Sequence, residues 1–375
     1  MKIGIDCRMW NETGMGRYIR NVVKQLFQLD SQNEYVLFHY NCKENYNKDS
    51  LSQLELPPNF KKVPANVHWH TLAEQTYLLN TFLKEKLDLL HIPTPNIPIL
   101  YPKKFIVTIH DLTVLRVNTG RATTLPYPLY ALKRFGFKTD LYVAIKRSEK
   151  IFTVSNYVKN DLVQTYNVPP NKIVLTKNAV DSKFKPYQPI TIDPILEKYN
   201  IKPPYLFYIG NAYPHKNLEK LIEAFKLISK EFPELSLVLA GKKDFFYKRL
   251  EQELTKENLK VFFPGFIYDN DLPALYSGSA LFVNPSLYEG FGIQVLEAFA
   301  CGTKVACSNT TSLPEVGEDV AYYFDPRNVR SIKDALVYAL QNNDSVRSAR
   351  GQDVVSKYNW RSTAQTVLNT YNTLK

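Results

Sequence analysis

The sequence predicts an α/β protein built from two doubly wound parallel-sheet domains, and three observations point there. Strand-like apolar runs alternate with helically spaced apolar residues along the chain, the pattern of a mostly parallel sheet. The alternation stops once, where Pro186, Pro189, Pro194, Pro203 and Pro204 crowd together, and then begins again. The length of 375 residues suits roughly two or three domains with full-sized cores.

Taken in order, Ile3 and Ile5 alternate in a first strand. A loop from Asn11 to Gly16 follows, and Ile19, Val22, Val23, Leu26 and Phe27 then recur at helical spacing. Further strands are expected at Tyr35–His39, Leu89–Ile92, Phe105–His110, Ile151–Val154 and Ile173–Thr176. After the prolines come strand Tyr205–Ile209, helix Asn217–Lys230, strand Leu235–Ala240, helix Phe245–Lys256 and strand Lys260–Phe263. A short helix precedes strand Ala280–Val283, which leads to helix Ile293–Cys301 and strands Lys304–Cys307 and Ala321–Phe324. The expected domains are therefore 1–185 and 205–358, with 186–204 as a linker that breaks regular structure. A closing helix, Trp360 to Leu374 within 359–375, is long enough to pack back towards the first domain. Open α/β sheets bind ligands beyond the carboxyl ends of their strands, so the site is expected in the cleft between the two domains.

With 45% hydrophobic, 22% charged and 13% aromatic residues, the composition is that of a folded globular protein. No apolar run approaches the ~20 residues of a membrane span. The start enters a strand pattern directly, without the features of a secretory signal, so a cytoplasmic protein is expected. Cys7, Cys42, Cys301 and Cys307 show no C-x-x-C pairing and read as reduced, packed thiols. His68 and His70 alternate around Trp69 as in a strand, without a third metal ligand. Charge is divided unevenly: residues 1–185 hold 26 Lys and Arg against 15 Asp and Glu, and the remainder holds 21 against 21. The whole net charge of +11 thus lies in the first half, which suggests an anionic partner there.

The densest chemical cluster runs from Asn284 to Thr303. A strand ends at Asn284, a glycine-flanked loop carries Glu289, and a helix opens around Phe291 to Ile293 with its unsatisfied N–H groups and positive dipole end. Such an end suits a phosphate. Glu297 stands eight positions after Glu289, so the two carboxylates can address different parts of one ligand. The bland alternative is two solvated acids flanking a helix start.

The E-x7-E spacing, the Ala298–Thr303 run and the Ser308–Val316 stretch closely resemble retaining glycosyltransferases of family four, which have the GT-B fold of two Rossmann-like domains. The resemblance extends to Gly14 and Gly16, His110-Asp111-Leu112, Val154-Ser155-Asn156, Asn178–Asp181, Gly210 with Pro214–Asn217, and Gly265-Phe266. It implies that Glu297 binds the ribose hydroxyls of a nucleotide diphosphate sugar, a diol that an ionised carboxylate accepts well. It places Glu289 beside the transferred sugar and the backbone of Gly290, Phe291, Gly292 and Ile293 against sugar and phosphate. Lys216 becomes the cation that neutralises the leaving diphosphate, a charge role that needs no divalent metal. His110 contacts the donor sugar near the reaction centre; outside this pattern it would read as a strand-end histidine satisfied by backbone. Gly14 and Gly16 approach the diphosphate, as does Gly210, although G-x-G here is not completed to a dinucleotide fingerprint. The sequence departs from the family at Asn211 and His215, where arginines are common, and Arg17 or Lys242 are the candidates to replace that charge.

From Arg121 to Lys150, basic residues including Lys133, Arg134 and Lys138 interleave with Leu125, Tyr127, Leu129, Tyr130, Leu132, Phe135 and Phe137. This reads either as a helix face for anionic lipid or as an ordinary amphipathic helix. The expected function is retaining hexosyl transfer, with GDP-mannose as the first donor expectation, to a growing surface glycan, either free or lipid-linked, in the cytoplasm or peripherally at the cytoplasmic membrane face. The donor serves as a co-substrate, and neither a cofactor nor a metal nor nucleic acid is expected. The competing readings are a GT-B sugar-nucleotide 2-epimerase and a non-catalytic basic module that binds membrane or nucleic acid.

Overall fold

The computed structural model describes residues 1–40, 51–69, 71–116, 127–255, 257–342 and 345–375. Cys42, His70, Arg121 and Leu125 lie outside the described residues. The chain divides into two compact units. One takes in Met1–Leu115, Thr123–Asn178 and Asn359–Lys375, and the body of the other is Ala179–Tyr358.

The first unit runs through β1 (Lys2–Asp6), α1 (Gly14–Leu29), β2 (Glu34–His39), β3 (Phe60–Pro64), α2 (Tyr77–Lys84), β4 (Leu89–Ile92) and β5 (Phe105–Ile109). It continues through α3 (Thr113–Arg116), α4 (Tyr127–Arg147), β6 (Lys150–Thr153), α5 (Asn156–Tyr166) and β7 (Ile173–Leu175). Its sheet has the order β3-β2-β1-β4-β5-β6-β7 with parallel pairing throughout. Central strands such as Phe105–Ile109 are buried at every position, as expected when helices cover both faces of a parallel sheet. The strand expected around His68 does not form. β3 pairs with β2 up to His39↔Pro64, where β2 ends, so the chain beyond Pro64 has no strand to add to. His68 instead stacks on Trp69, with ring centroids 4.3 Å apart.

The second unit comprises α6 (Pro189–Lys198), β8 (Tyr205–Ile209), α7 (Leu218–Ile228), β9 (Ser236–Ala240), α8 (Phe245–Leu254), β10 (Val261–Gly265) and α9 (Leu272–Gly278). After these come β11 (Leu281–Asn284), α10 (Ile293–Ala300), β12 (Val305–Ser308), α11 (Leu313–Gly317), β13 (Tyr322–Phe324), α12 (Val329–Gln341) and α13 (Ser345–Ser356). The sheet order β10-β9-β8-β11-β12-β13 is again parallel, and it reverses direction of growth between β8 and β11. Leu221 and Phe225 of α7, Leu336 of α12 and strand residues Leu237 and Val283 form one core on a face of this sheet. Each such side chain contributes about 1.5–3 kcal/mol when fully buried.

Two boundaries differ from the sequence reading. The units part between Asn178 and Ala179, not at 186, and the proline-rich stretch contains a helix instead of an irregular linker. Pro189 stands in the first turn of α6, where a missing N–H costs nothing. Buried Ile192 and Leu196 then hold α6 against α9, with Gly278 small enough to admit Ile192. The last helix, α14 (Trp360–Asn372), is part of the first unit and packs on α1. Asn359 caps it by accepting from the N–H groups of Arg361 and Ser362.

Candidate active site

In the second unit the strands that flank the reversal of sheet order are β8 and β11, the place where an open parallel sheet leaves a crevice for a ligand. Lys216 follows β8 in a short turn, and Glu289 follows β11 in the loop that leads to α10. Lys216 Nζ donates to Glu289 Oε1 at 2.7 Å, and both side chains are almost wholly covered, 13% and 12% exposed. The two loops are stitched together beneath this pair. Leu287 N–H donates to the His215 carbonyl at 2.8 Å, and Asn217 Nδ2 donates to the carbonyls of Pro285 and Pro326.

Glu289 is gripped at three further points. Ser286 Oγ donates to Oε1 at 2.8 Å, the Glu289 N–H donates to Thr311 Oγ1 at 3.2 Å, and Ser312 Oγ donates to the Glu289 carbonyl at 2.9 Å. Burial alone would raise the Glu289 carboxyl, but Lys216, Ser286 and His215 outweigh it and hold the group below the usual carboxylate range. The glutamate is therefore an anion at neutral pH.

Gly290, Phe291, Gly292 and Ile293 carry the chain into α10. Gly292 has φ +89°, and a Cβ there would lie 2.6 Å from Leu313 Cδ2, so both conformation and packing require glycine. The Phe291 ring packs edge-on against Tyr358, which leaves backbone as what this stretch can offer a ligand. The first N–H groups of α10 have no carbonyl within their own helix, and they form its positive end. Glu297 sits further along α10, 2% exposed, where Oε2 accepts from Tyr276 at 2.8 Å. Gly210 and Asn211 close β8; Asn211 is exposed, and its carbonyl accepts from Tyr208. Lys242 is exposed beyond the carboxyl end of β9.

Gly14, Gly16 and His110 belong to the first unit. Gly14 opens α1 and a Cβ on it would meet nothing within 4 Å, whereas one on Gly16 would lie 2.6 Å from the Met9 carbonyl. Gly16 is thus demanded by the unit's own packing, and Gly14 leaves open space. His110 follows β5. Its Nε2–H donates to the Pro93 carbonyl at 3.1 Å, so Nδ1 carries the lone pair, and burial pushes the imidazole down to about 4. Tyr18 of α1 meets its ring edge-on at 5.1 Å. The neutral ring can accept a hydroxyl proton but cannot donate one through Nδ1.

The structure thus gathers Lys216, Glu289, Gly290–Ile293, Gly210 and Asn211 on adjacent loops of one unit, and sets Gly14 and His110 on neighbouring elements of the other. Sequence reasoning gave no role to Ser286, Thr311, Ser312, Asn217, Tyr276 or Tyr18. Apart from Ser286, their partners lie far off in sequence, 109 positions away for Asn217 to Pro326 and 158 for Tyr18 to Thr176, and no local spacing carries that information. Among the described residues no three His, Cys, Asp or Glu side chains are grouped to hold a metal ion, and Cys7, Cys301 and Cys307 are buried free thiols. No described helix is long and apolar enough to cross a membrane.

Two Rossmann-like parallel-sheet units in one chain are the architecture of the GT-B fold. The solved sucrose-phosphate synthase of Thermosynechococcus elongatus has this fold, with a TM-score of 0.79 at 19% identity over 100% of this chain and 99% of that one. Residues 13–184 match the family model Glycosyltransferase Family 4, and residues 192–352 match Glycosyl transferases group 1. The chain is 29% identical over 384 residues to O-antigen chain mannosyltransferase B of Escherichia coli, spanning 96% of each. It is 30% identical over 273 residues to O-antigen chain mannosyltransferase RfbU of Salmonella typhimurium, spanning 71% of this chain and 73% of that one. The chain belongs to glycosyltransferase family four.

Proposed function

We propose that this glycosyltransferase moves mannose from GDP-mannose to a hydroxyl of a growing surface glycan, with retention at the anomeric carbon and without a divalent metal. The observation that carries the reading is the Lys216–Glu289 pair at the switch point beside the start of α10. A preorganised ammonium there meets charge that grows on a departing diphosphate, the kind of term that supplies several kcal/mol to a transition state. In the step, the bond from the anomeric carbon to the diphosphate oxygen breaks, and the acceptor oxygen bonds to the same face of that carbon. The acceptor's proton leaves on the diphosphate. Glu289, held as an anion, faces the positive charge that develops on the sugar, and Glu297 takes the ribose hydroxyls. Names of relatives that state O-antigen mannosyl transfer support mannose as the sugar and a surface glycan as the acceptor.

We further place the enzyme peripherally on an anionic membrane face through α4. Leu132, Phe135 and Tyr142 follow one another at helical spacing and are 67%, 69% and 53% exposed. Lys133 and Lys138 are exposed beside them, while Leu141, Ala144 and Ile145 are buried in the unit. Apolar side chains flanked by lysines suit lipid headgroups.

A thermal-shift panel of nucleotide sugars tests the donor, and GDP-mannose is expected to raise the melting temperature most. Transfer from that donor should continue in EDTA. Activity lost on chelation and restored by magnesium or manganese would overturn the metal-free step, and conversion of the donor to its 2-epimer without an acceptor would favour epimerisation.

A further inference from the structure

Lys216 serves two anions in turn. It is paired with Glu289 in the free enzyme, yet on the reading above it must turn to the diphosphate when the donor binds. A largely covered carboxylate that lost its cation would be driven towards the protonated form. Besides the nearby His215, what remains on Glu289 is a set of uncharged hydroxyl partners. Ser286 is fully buried and donates to Oε1, while Thr311 and Ser312, from the loop between β12 and α11, take the N–H and the carbonyl. Thr311 makes its contact from φ +59°, a left-handed conformation strained for a β-branched residue. Strain of this kind persists where the surrounding structure over-determines it, and here the hydroxyl bond to Glu289 is what that conformation secures.

We propose that Ser286, Thr311 and Ser312 are positioning residues of the transfer reaction: Ser286 holds the Glu289 carboxylate, and Thr311 and Ser312 hold its backbone, while Lys216 passes to the diphosphate. The inference rests on the assignment of Lys216 to the diphosphate and Glu289 to the sugar. The titratable groups that face Glu289 are Lys216 and His215 from the 214–216 turn and Tyr208 from β8. Loss of the Ser286 hydroxyl removes a bond that favours the charged form, so the Glu289 titration should move to higher pH.

The test compares Ser286→Ala, Ser312→Ala, Thr311→Gly and Thr311→Ser with Glu289→Gln in the full chain. Thr311→Gly keeps the left-handed backbone without the hydroxyl, and Thr311→Ser keeps the hydroxyl. Turnover is read as GDP release from GDP-mannose and binding as GDP affinity by calorimetry. The carboxyl titration is followed by 13C NMR of labelled glutamate, with Glu289 assigned from its missing signal in Glu289→Gln. Expected are a drop in turnover of roughly tenfold or more for the first three variants, consistent with misplacement of a reacting group, and GDP affinity within about twofold. Thr311→Ser should restore most of the turnover, and Ser286→Ala should raise both the acid limb of the rate profile and the NMR midpoint. An unchanged midpoint in Ser286→Ala overturns the proposal, as does equal behaviour of Thr311→Gly and Thr311→Ser. If Glu289→Gln keeps full turnover, the assignment of Glu289 to the sugar fails instead, and the midpoint in Ser286→Ala, which needs no donor, still decides whether the hydroxyls hold the carboxylate.

Discussion

A lysine that neutralises a leaving group can be placed ready only if something balances it beforehand, and in this chain that counter-charge is Glu289. Lys216→Ala should therefore do two things. Turnover should fall by on the order of a hundredfold or more, since the stabilisation of the departing diphosphate is lost, and the melting temperature should drop, because breaking a covered ion pair leaves its partner uncompensated. Steady-state kinetics with saturating donor, alongside a thermal melt, check both; a variant with near-full turnover would remove Lys216 from the phosphate role. The two glutamates should separate in the same assays. Glu297→Gln keeps an oxygen for the Tyr276 hydroxyl and should chiefly weaken donor affinity, because ribose hydroxyls are bound alike in ground and transition states. Glu289→Gln should chiefly lower turnover, and calorimetry set against kinetics would reveal the reverse assignment. Glu289 and Glu297 could be singled out in the sequence because they stand at a fixed spacing inside one strand–loop–helix run, and Lys216 because it lies in the separate Pro214–Asn217 run that resembles the family. The residues that hold Glu289 could not. Nothing local marks a threonine that adopts φ +59° to reach a backbone N–H 22 positions earlier.

Among the elements, fully covered strands were easiest to read, because burial on both faces makes them short apolar runs such as Phe105–Ile109 and Leu281–Asn284. β3 escaped notice for the opposite reason. It is an edge strand that carries Lys61 and Lys62, with only Phe60 buried. The stretch at 186–204 was misread because proline density speaks for irregular structure, while a first-turn proline and two buried aliphatic residues suffice for a helix packed on a neighbour. For α4 the sequence left lipid contact and ordinary packing both open, with the basic excess favouring lipid, and exposure divides the helix between them: Leu141, Ala144 and Ile145 are buried, whereas Leu132, Phe135 and Tyr142 point outward. The protein should bind vesicles with anionic lipid more tightly than neutral ones and be released by salt. Replacing Lys133 and Lys138 with Ser should weaken that binding without altering donor affinity. Equal partitioning to both vesicle types, measured by sedimentation, would return α4 to an ordinary amphipathic helix.

At the scale of the whole molecule, the two units should differ in their response to acid. Besides His39, which burial and Lys62 also lower, the first holds two strongly depressed imidazoles: His91, pushed down to about 3 by burial and by His110, and His110 itself at about 4. Above the ordinary value of 6.5 neither affects stability. As pH falls below it, the unfolded chain takes up protons that the folded unit refuses, so stability declines until about 4 and lower. Urea titrations from pH 7 to pH 4, followed unit by unit through hydrogen exchange, should show the first unit weakening first, and His91→Asn should flatten that slope; identical slopes for both units would refute this account. His91 also ties the end of the chain to its middle, since Nδ1 lies 2.6 Å from the Tyr371 hydroxyl and Nε2 lies 2.9 Å from Thr108 Oγ1. That connection has a bearing on biosynthesis. The ribosome makes Ala179–Tyr358 between the body of the first unit and the helix that completes it. At ~5–20 residues per second, that interval lasts on the order of tens of seconds. Throughout it the α1 surface that α14 covers is bare and His91 awaits its tyrosine, so the unit that is begun first cannot be completed until Asn359–Lys375 has been made.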